Sequence, residues 1–251
     1  MKNRNYIGEI SDLFKIPSST LRYWEAQSLL GFPRDKENNY RSPSLETILN
    51  IWYIAFYKDL SIPLKEIKQI PFMNVNELES TLTENRKKLL EELHNLQKTI
   101  KKIESQEKNI EKVKYLQYNP YCIEKHTFLP IKLFNYSENC LNKEMIQLFL
   151  SNPDEFLVFI DPEKSIVDYG VFTSETSNNI FREKDRCEKL YLKGLLKIDV
   201  DDIHNNNSSE LILDAEKLGY KANTITGNYL ISACEDKRYN YYEAWLELSD
   251  K

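Results

Sequence analysis

The 251-residue sequence predicts an α+β protein whose parts follow one another along the chain. Residues 1–72 have the apolar spacing of short helices, with one hairpin among them. Residues 73–116 continue a helical pattern without a single Gly or Pro, which is typical of one long helix. Residues 117–251 show a β-α-β-β pattern twice, which predicts an antiparallel sheet with helices. We therefore expect three domains with these boundaries.

The composition is that of a folded protein, because 41% of the residues are hydrophobic. No apolar run approaches the length of a membrane span, and the N-terminal stretch MKNRNYIGEI lacks an apolar signal segment. We expect a cytoplasmic protein with no membrane partner. The cysteines lie far apart without a C-x-x-C motif, which predicts isolated buried thiols rather than a disulfide framework or a zinc site. They are Cys122, Cys140, Cys187 and Cys234.

The net charge of −5 is unevenly distributed. Residues 1–72 hold ten Lys and Arg against eight Asp and Glu, and residues 73–116 hold nine against eight. Residues 117–251 hold fifteen against twenty-three, so the acidic excess lies entirely in the last part. A polyanionic partner is therefore compatible only with the first half, provided that its cations lie on one side.

The first part begins with a predicted pair of short helices joined by a tight turn. IGEISDLFK, residues 7–15, has apolar residues at helical spacing, and Pro17 interrupts it. Ser18 or Ser19 is suited to cap a second helix over about 19–28. Two short helices joined in this way form a helix-turn-helix, whose second helix can enter a DNA major groove.

The second predicted helix has one face for the core and one for a ligand. Leu21 points inward and Trp24 is predicted to pack in the core, whereas Arg22 and Tyr23 point outward. Arg22 can form bidentate hydrogen bonds with a base edge or a phosphate, and Tyr23 can donate to phosphate oxygens.

A hairpin and a second helical pair follow. LGFPRDKENNYR breaks the helical pattern, and Asn38-Asn39 suits a hairpin turn because Asn tolerates positive φ. The next helices are predicted over about 45–58 and, after a proline, over about 64–70.

The long helix carries the pattern of a coiled coil. Apolar residues recur at intervals of seven, four, three, four, three and seven, which is a heptad seam. One helix with so narrow a stripe cannot bury it alone, so we expect a homodimer; packing against the chain's own domains is the alternative. The predicted seam consists of Leu82, Leu89, Leu93, Leu96, Ile100, Ile103 and Ile110.

The last part is predicted to form one antiparallel sheet with both helices on one face, and the other face open to hold something. The predicted strands are YCIEKHTFLPIKLF, FLVFI, SIVDYGVFT, CEKLYLKGLLKI, YLISAC and YYEAWLEL, with helices over 141–152 and 207–218. In the final strand, alternation places Tyr241, Glu243, Trp245 and Glu247 on the open face. Aromatic rings with carboxylates can hold a lipophilic cation there.

The first half resembles the MerR family of transcription regulators. The resemblance rests on YIGEISDLFKIPSSTLRYWEAQSLL, NNYR and LKEIKQI followed by a long helix, and it covers about residues 5–115. It implies a winged helix-turn-helix in which the second helix reads the major groove and the hairpin grips phosphates. The second helical pair then forms a second wing. Asn39 departs from the family, in which many members have Gly at this position. The implied DNA-binding residues are Ser18, Ser19, Thr20, Arg22, Tyr23, Arg34, Lys36, Asn39, Tyr40, Arg41, Lys58, Lys65 and Lys68.

The resemblance also implies partners and a mechanism. MerR-type regulators are homodimers, held by an antiparallel coiled coil, on a palindrome in double-stranded promoter DNA. The activated dimer distorts that DNA so that RNA polymerase on the same promoter can use it, and no cofactor is implied.

Residues 117–251 resemble the GyrI-like effector-binding domain of multidrug sensors of the BmrR type. The resemblance rests on the duplicated pattern and on the final strand, and it implies a small, aromatic or cationic effector. Glu243 best matches the pocket carboxylate. The expected effector-binding residues are Tyr169, Phe172, Tyr229, Tyr241, Glu243 and Trp245.

Other functions remain open but have less support. Cys122 and His126 have i, i+4 spacing on a strand, and His126 is more simply an ordinary strand residue than a metal ligand. A GyrI-like hydrolase fused to a DNA reader would use Glu243 as a base. Because no Ser/His/Asp or Cys/His set is recognisable, we expect no enzyme. A ligand-independent repressor or architectural protein is the other alternative to an effector-responsive activator.

Overall fold

The computed structural model describes residues 6–34, 41, 43–134, 143–161, 164, 166–173 and 180–250. It has an α+β fold that divides into two compact units, residues 1–97 and 98–251. The first unit is helical and the second is built on an antiparallel sheet. No helix in the described ranges is long and apolar enough to cross a membrane.

The helices of the first unit follow the predicted order. They are α1 (Tyr6–Phe14), α2 (Ser18–Ala26), α3 (Leu45–Asp59) and α4 (Leu64–Ile67), followed by a 3₁₀ turn (Ile70–Phe72) and the start of α5 (Val75–Tyr118). The predicted serine cap of α2 is wrong, because Pro17 precedes the helix and no side chain caps it. Proline has no N–H and a fixed φ, so it suits the entry to a helix without a cap.

One apolar core holds these helices together. Its centre is formed by fully buried residues of the helices and of the loops between them, with Leu78 and Leu82 of α5 packed against it. Trp24 is 5% exposed and lies in this core, as predicted. The buried residues are Ile7, Ile10, Leu21, Trp24, Leu30, Phe32, Ile51, Ile54, Ile62, Ile67 and Ile70.

The second unit contains seven described strands, two helices and a 3₁₀ turn (Pro153–Glu155). The strands and helices are β1 (Tyr121–His126), β2 (Ile131–Leu133), α6 (Lys143–Ser151), β3 (Phe156–Asp161), β4 (Ile166–Phe172), β5 (Lys189–Asp199), α7 (Ser208–Lys217), β6 (Tyr220–Cys234) and β7 (Arg238–Asp250). The strands form one antiparallel sheet in the order β1-β5-β7-β6-β3-β4-β2.

The strand predicted over 121–134 is in fact two strands at opposite edges of the sheet. β1 pairs with β5, whereas β2 pairs with β4. Pro130 lies immediately before β2, and a residue without an N–H is tolerated at the start of an edge strand but not within a central one. β1, which was predicted as part of the first β-α-β-β repeat, therefore lies at the sheet edge beside β5 of the second repeat.

Both helices pack on one face of the sheet, as predicted. Met145 and Leu148 of α6 and Leu211 and Ala215 of α7 contact the same core cluster. This cluster also contains the inward-facing residues Tyr242, Ala244, Leu246 and Leu248 of β7. Alternation along the last strand therefore identified the buried face correctly.

The opposite face is partly covered by α5. Val113 of α5 packs against Leu230 of β6 and Tyr241 of β7, and Leu116 of α5 is also buried. The expectation of an uncovered face is wrong because the last turns of α5 carry an apolar stripe of their own. The Asn109 side chain is buried beside this stripe and donates to the Leu230 carbonyl oxygen at 3.1 Å.

The seam of α5 is largely exposed in the single chain. Leu82 is half-buried in the first unit, whereas the later seam residues are exposed; these are Leu89, Leu93, Leu96, Ile100, Ile103 and Ile110.

The prediction of buried thiols is wrong, since Cys122, Cys187 and Cys234 are exposed. Cys140 lies outside the described residues.

Candidate functional site

The helix-turn-helix presents one face of α2 to solvent. Leu21 and Trp24 lie three residues apart and are buried, so Arg22 and Tyr23 between them are exposed, as predicted. At the start of the helix Ser19 is exposed, and the neighbouring Ser18 and Thr20 are half-buried. The outward face thus carries a guanidinium, a phenol and a hydroxyl within little more than one turn.

The base of the predicted wing is tied to this helix. Arg34 and Arg41, at the two ends of the predicted hairpin, face each other across an isolated antiparallel bridge. The Arg41 side chain donates to the Glu25 carboxylate of α2, with its Nε 2.9 Å from Oε2. Sequence reasoning missed Glu25 as the anchor of the wing. Three predicted DNA contacts, Lys36, Asn39 and Tyr40, lie outside the described residues.

The predicted second wing contributes three exposed lysines. Lys58 lies in the last turn of α3, Lys65 in α4, and Lys68 directly after α4. The Lys68 Nζ donates to the carbonyl oxygen of Gln27 at 3.3 Å, so this lysine lies at the C-terminal end of α2. Cations from both predicted wings therefore contact α2 or the residue that follows it.

Comparison with known families identifies the N-terminal part of the chain. The family model described as "MerR family regulatory protein" matches residues 6–42. Residues 6–42 are a MerR-family helix-turn-helix domain. The matched range includes α1, α2 and the two described residues at the base of the predicted wing, Arg34 and Arg41.

Two solved structures align with this chain at low identity. The crystal structure of the transcription regulator PbrR691 from Ralstonia metallidurans CH34 in complex with lead(II) aligns over 41% of this chain and 85% of its own, with 18% identity and a TM-score of 0.36. The cryo-EM structure of the EcmrR–DNA complex in EcmrR-RPo aligns over 98% of this chain and 99% of its own, with 15% identity and a TM-score of 0.37. No curated protein matches the chain significantly. At these TM-scores the alignments carry no argument about function.

In the second unit, Glu243 is the most strongly engaged of the predicted effector contacts. Its side chain is 9% exposed, and its two oxygens accept from different lysines: Oε2 from Lys112 Nζ at 2.8 Å and Oε1 from Lys193 Nζ at 2.7 Å. Burial by itself raises the pKa of the Glu243 carboxyl, but the two ammonium groups outweigh burial and hold the pKa below its ordinary value of 4.5. Glu243 is therefore an ion-paired carboxylate.

Sequence reasoning missed both lysines. Lys193 lies opposite Trp245 in the β5–β7 register, so strand pairing, had it been known, would have placed it beside Glu243. Lys112 belongs to α5, and no local pattern connects it with β7. Next to the three charged groups lies a cavity of about 470 Å³. Its lining consists of Lys108, Glu111, Lys112, Tyr115, Leu116, Lys193 and Glu243.

Trp245 and Phe172 lie together in a separate aromatic cluster. They pack with Phe128 and Tyr191, two aromatic residues that the sequence did not single out. His126 stacks on Trp245 with ring centres 5.1 Å apart, so it is a packing residue here. Groups of three or more potential metal ligands are absent from the described residues.

The remaining predicted effector contacts are dispersed. Tyr241 faces α5 and is buried with Val113. Tyr169 and Tyr229 lie on the opposite face of the sheet, in the core cluster that α6 and α7 cover. The structure therefore brings Tyr241, Glu243 and Trp245 to one face but does not bring Tyr169 and Tyr229 to it.

The ion pairs of Glu243 predict a pH dependence of stability. Because its folded-state pKa is lowered, the stabilisation is complete above the unfolded value of about 4.5 and is lost as the pH falls through the folded value. We expect Glu243→Gln to unfold at a lower temperature than the wild type at about pH 7, and we expect this difference in unfolding temperature to disappear in acid. Thermal unfolding of both proteins across the pH range measures the difference, and a deficit that is constant with pH would contradict it.

Proposed function

We propose that the protein is a homodimeric, effector-responsive regulator that binds promoter DNA and changes its shape for RNA polymerase. The observation that carries the proposal is the MerR domain, with Arg22 and Tyr23 exposed on α2 and with Arg41 and Lys68 at its borders. A helix presented in this way fits a major groove, and cations beside it fit the flanking phosphates.

The chemistry of α2 assigns different roles to its exposed residues. Arg22 has a planar fork of donors, which matches the acceptors of guanine in the major groove. Tyr23 and Ser19 have hydroxyls suited to phosphate oxygens. Arg41 is already paired with Glu25, so it is oriented for a phosphate contact without the loss of side-chain freedom that an unpaired arginine would undergo.

Removal of Arg22 tests the DNA proposal directly. We expect Arg22→Ala to weaken binding to the preferred duplex, selected from a random pool by the wild type, about 10- to 100-fold because it loses a bidentate contact. Fluorescence anisotropy at fixed salt measures the affinity. Arg238→Ala, which removes an exposed arginine of β7, is the matched control and should bind like the wild type. Unchanged affinity of Arg22→Ala would contradict the proposed role.

The proposed dimer rests on the exposed seam of α5. Leu89, Leu93 and Leu96 are exposed on one stripe of a helix that the rest of its unit does not cover at these positions. Two such helices bury their seams against each other in a coiled coil. An antiparallel arrangement would place the two MerR domains apart, at the separation that half-sites on DNA require.

A charge in the seam should separate the subunits. We expect Leu93→Asp to convert the protein from a dimer of the 29.8 kDa chain to a monomer at micromolar concentration, since it would bury an unpaired carboxylate in the seam. Gln97→Asp, at an exposed position of the same helix, introduces the same charge and should remain dimeric. Light scattering gives the mass, and a dimeric Leu93→Asp would rule out this seam as the interface.

The proposed effector site is the cavity beside Glu243. An aromatic cation there can stack on the exposed Tyr115 and pair with Glu243 in place of Lys112. Lys112 is half exposed, so breaking its ion pair costs little, whereas Lys193 is more enclosed. Since Lys112 lies on α5, the exchange would release a contact between this helix and the sheet, which suits a conformational response.

The alternatives receive less support. A general base works best with a pKa near neutrality, whereas the pKa of Glu243 is lowered, so the site is a poor fit to a GyrI-like hydrolase. A ligand-independent repressor would need neither the cavity nor a displaceable lysine. It remains the second candidate, and binding measurements distinguish it.

Competition at Glu243 gives the effector prediction. We expect saturable quenching of protein fluorescence by benzyltrimethylammonium but not by neopentylbenzene, its neutral isostere. Lys112→Met removes the competing ammonium and should tighten binding, and Glu243→Gln should abolish it. Equal binding of the cation to Glu243→Gln and to the wild type would contradict this site and favour ligand-independent regulation.

A further inference from the structure

A second cation lies inside the aromatic cluster, and it belongs to the chain itself. The Arg182 guanidinium has its Cζ 4.8 Å from the centre of the Phe128 ring. Its Nη2 donates to the Tyr191 hydroxyl at 2.5 Å and lies 3.2 Å from carboxylate oxygens of Asp185 and Glu247. The side chain is only 13% exposed. A planar cation is thus enclosed by two carboxylates, a phenol and an aromatic ring.

The groups around this guanidinium are also held by partners other than Arg182. The backbone N–H of Phe128 donates to Asp185 Oδ2 at 2.9 Å, and Lys189 Nζ donates to Glu247 Oε1 at 2.7 Å. Tyr191 is fully buried, and its hydroxyl lies 3.3 Å from Asp185 Oδ2, to which it can donate. These other hydrogen bonds hold the two carboxylates and the phenol in position without the guanidinium, as in a preorganised binding site.

The chemistry of the cluster selects one class of cation. The carboxylate and phenol oxygens all meet one nitrogen of the guanidinium, Nη2, while its Cζ lies over the Phe128 ring. An NH₂ group on a flat cation that lies against an aromatic wall suits a guanidinium or amidinium, which is planar and weakly hydrated. A quaternary ammonium has no N–H to donate and would leave the Tyr191 and Asp185 oxygens unpaired. The Glu243 site differs, because ammonium groups occupy it and its cavity is open to solvent.

We propose that this cluster is a binding site for guanidinium or amidinium groups and that Arg182 is its resident ligand, supplied by the chain itself. A tethered ligand acts at an effective concentration of about millimolar or above, so an external cation competes poorly with it. The wild-type protein should therefore not respond to such compounds through this cluster. The proposal concerns the second unit alone and does not depend on DNA binding.

The backbone around Arg182 makes the proposal testable by substitution. Its carbonyl oxygen accepts from the Ile131 N–H at 2.8 Å, and its own N–H donates to the Ile131 carbonyl oxygen at 3.1 Å. These bonds do not involve the side chain. Arg182→Ala should therefore remove the guanidinium while the main chain stays paired with β2, which leaves the site empty.

The test is calorimetric titration of the full-length protein with benzamidinium, beside the neutral benzamide and benzyltrimethylammonium. We expect Arg182→Ala to bind benzamidinium at least about tenfold more tightly than the wild type does, and to gain thermal stability from it. Benzamide should not bind. Adding Glu247→Gln to Arg182→Ala should weaken benzamidinium binding, which locates the ligand. Arg186→Ala, at an exposed position four residues along, should behave like the wild type.

Two results would overturn the proposal. One is equal binding of benzamidinium to the wild type and to Arg182→Ala; the other is binding of benzamide as tight as that of benzamidinium. If Arg182→Ala does not fold, Arg182→Lys decides, because it keeps a positive charge but lacks the planar fork. Arg182→Lys should bind benzamidinium more tightly than the wild type, and no gain would reject the site.

Discussion

The Glu243 carboxylate, held between Lys112 and Lys193, is the interaction on which the arrangement of the second unit depends. β7 lies between β5 and β6, so a charge in its middle is far from either sheet edge. A charge at 9% side-chain exposure is unfavourable unless it is paired. Lys193 supplies one partner from the neighbouring strand and Lys112 supplies the other from α5. The helix thus adds a charge partner for Glu243 to the apolar packing by which it covers the sheet.

The same principle recurs at Arg182. There the buried carboxylate is Asp185, and the guanidinium, Lys189 and a backbone N–H satisfy it. Arg182 and the two lysines on Glu243 all come from the chain. The net acidity of residues 117–251 therefore does not leave this face with unpaired carboxylates at either place. A cationic ligand at either place would have to exchange with a cation already present, and the half-exposed Lys112 is the easier one to displace.

The sequence predicted correctly which face of these elements is buried, because that follows from the period of a strand or a helix. Alternation placed Tyr242 and Glu243 on opposite faces of β7, and helical spacing placed Trp24 inside and Arg22 outside. It failed where the partner is distant in sequence. Nothing near Glu243 points to Lys112, which is 131 residues away, and nothing near Phe128 points to Arg182. The open face was mispredicted for this reason, since alternation identifies faces but not what covers them.

α5 combines two kinds of packing along one helix, and a buried polar residue marks the change. From Leu89 to Ile110 its seam residues are exposed and suited to a second copy, whereas Val113 and Leu116 are buried within the second unit. Asn109, directly before Ile110, is buried and donates both to Asp154 at 2.9 Å and to the Leu230 carbonyl oxygen. An apolar residue at 109 would tolerate small shifts of the helix along the sheet, but an amide with two fixed acceptors does not. Asn109 therefore fixes the register that brings Lys112, about one turn further along, to Glu243, although Asn109 does not line the cavity beside them.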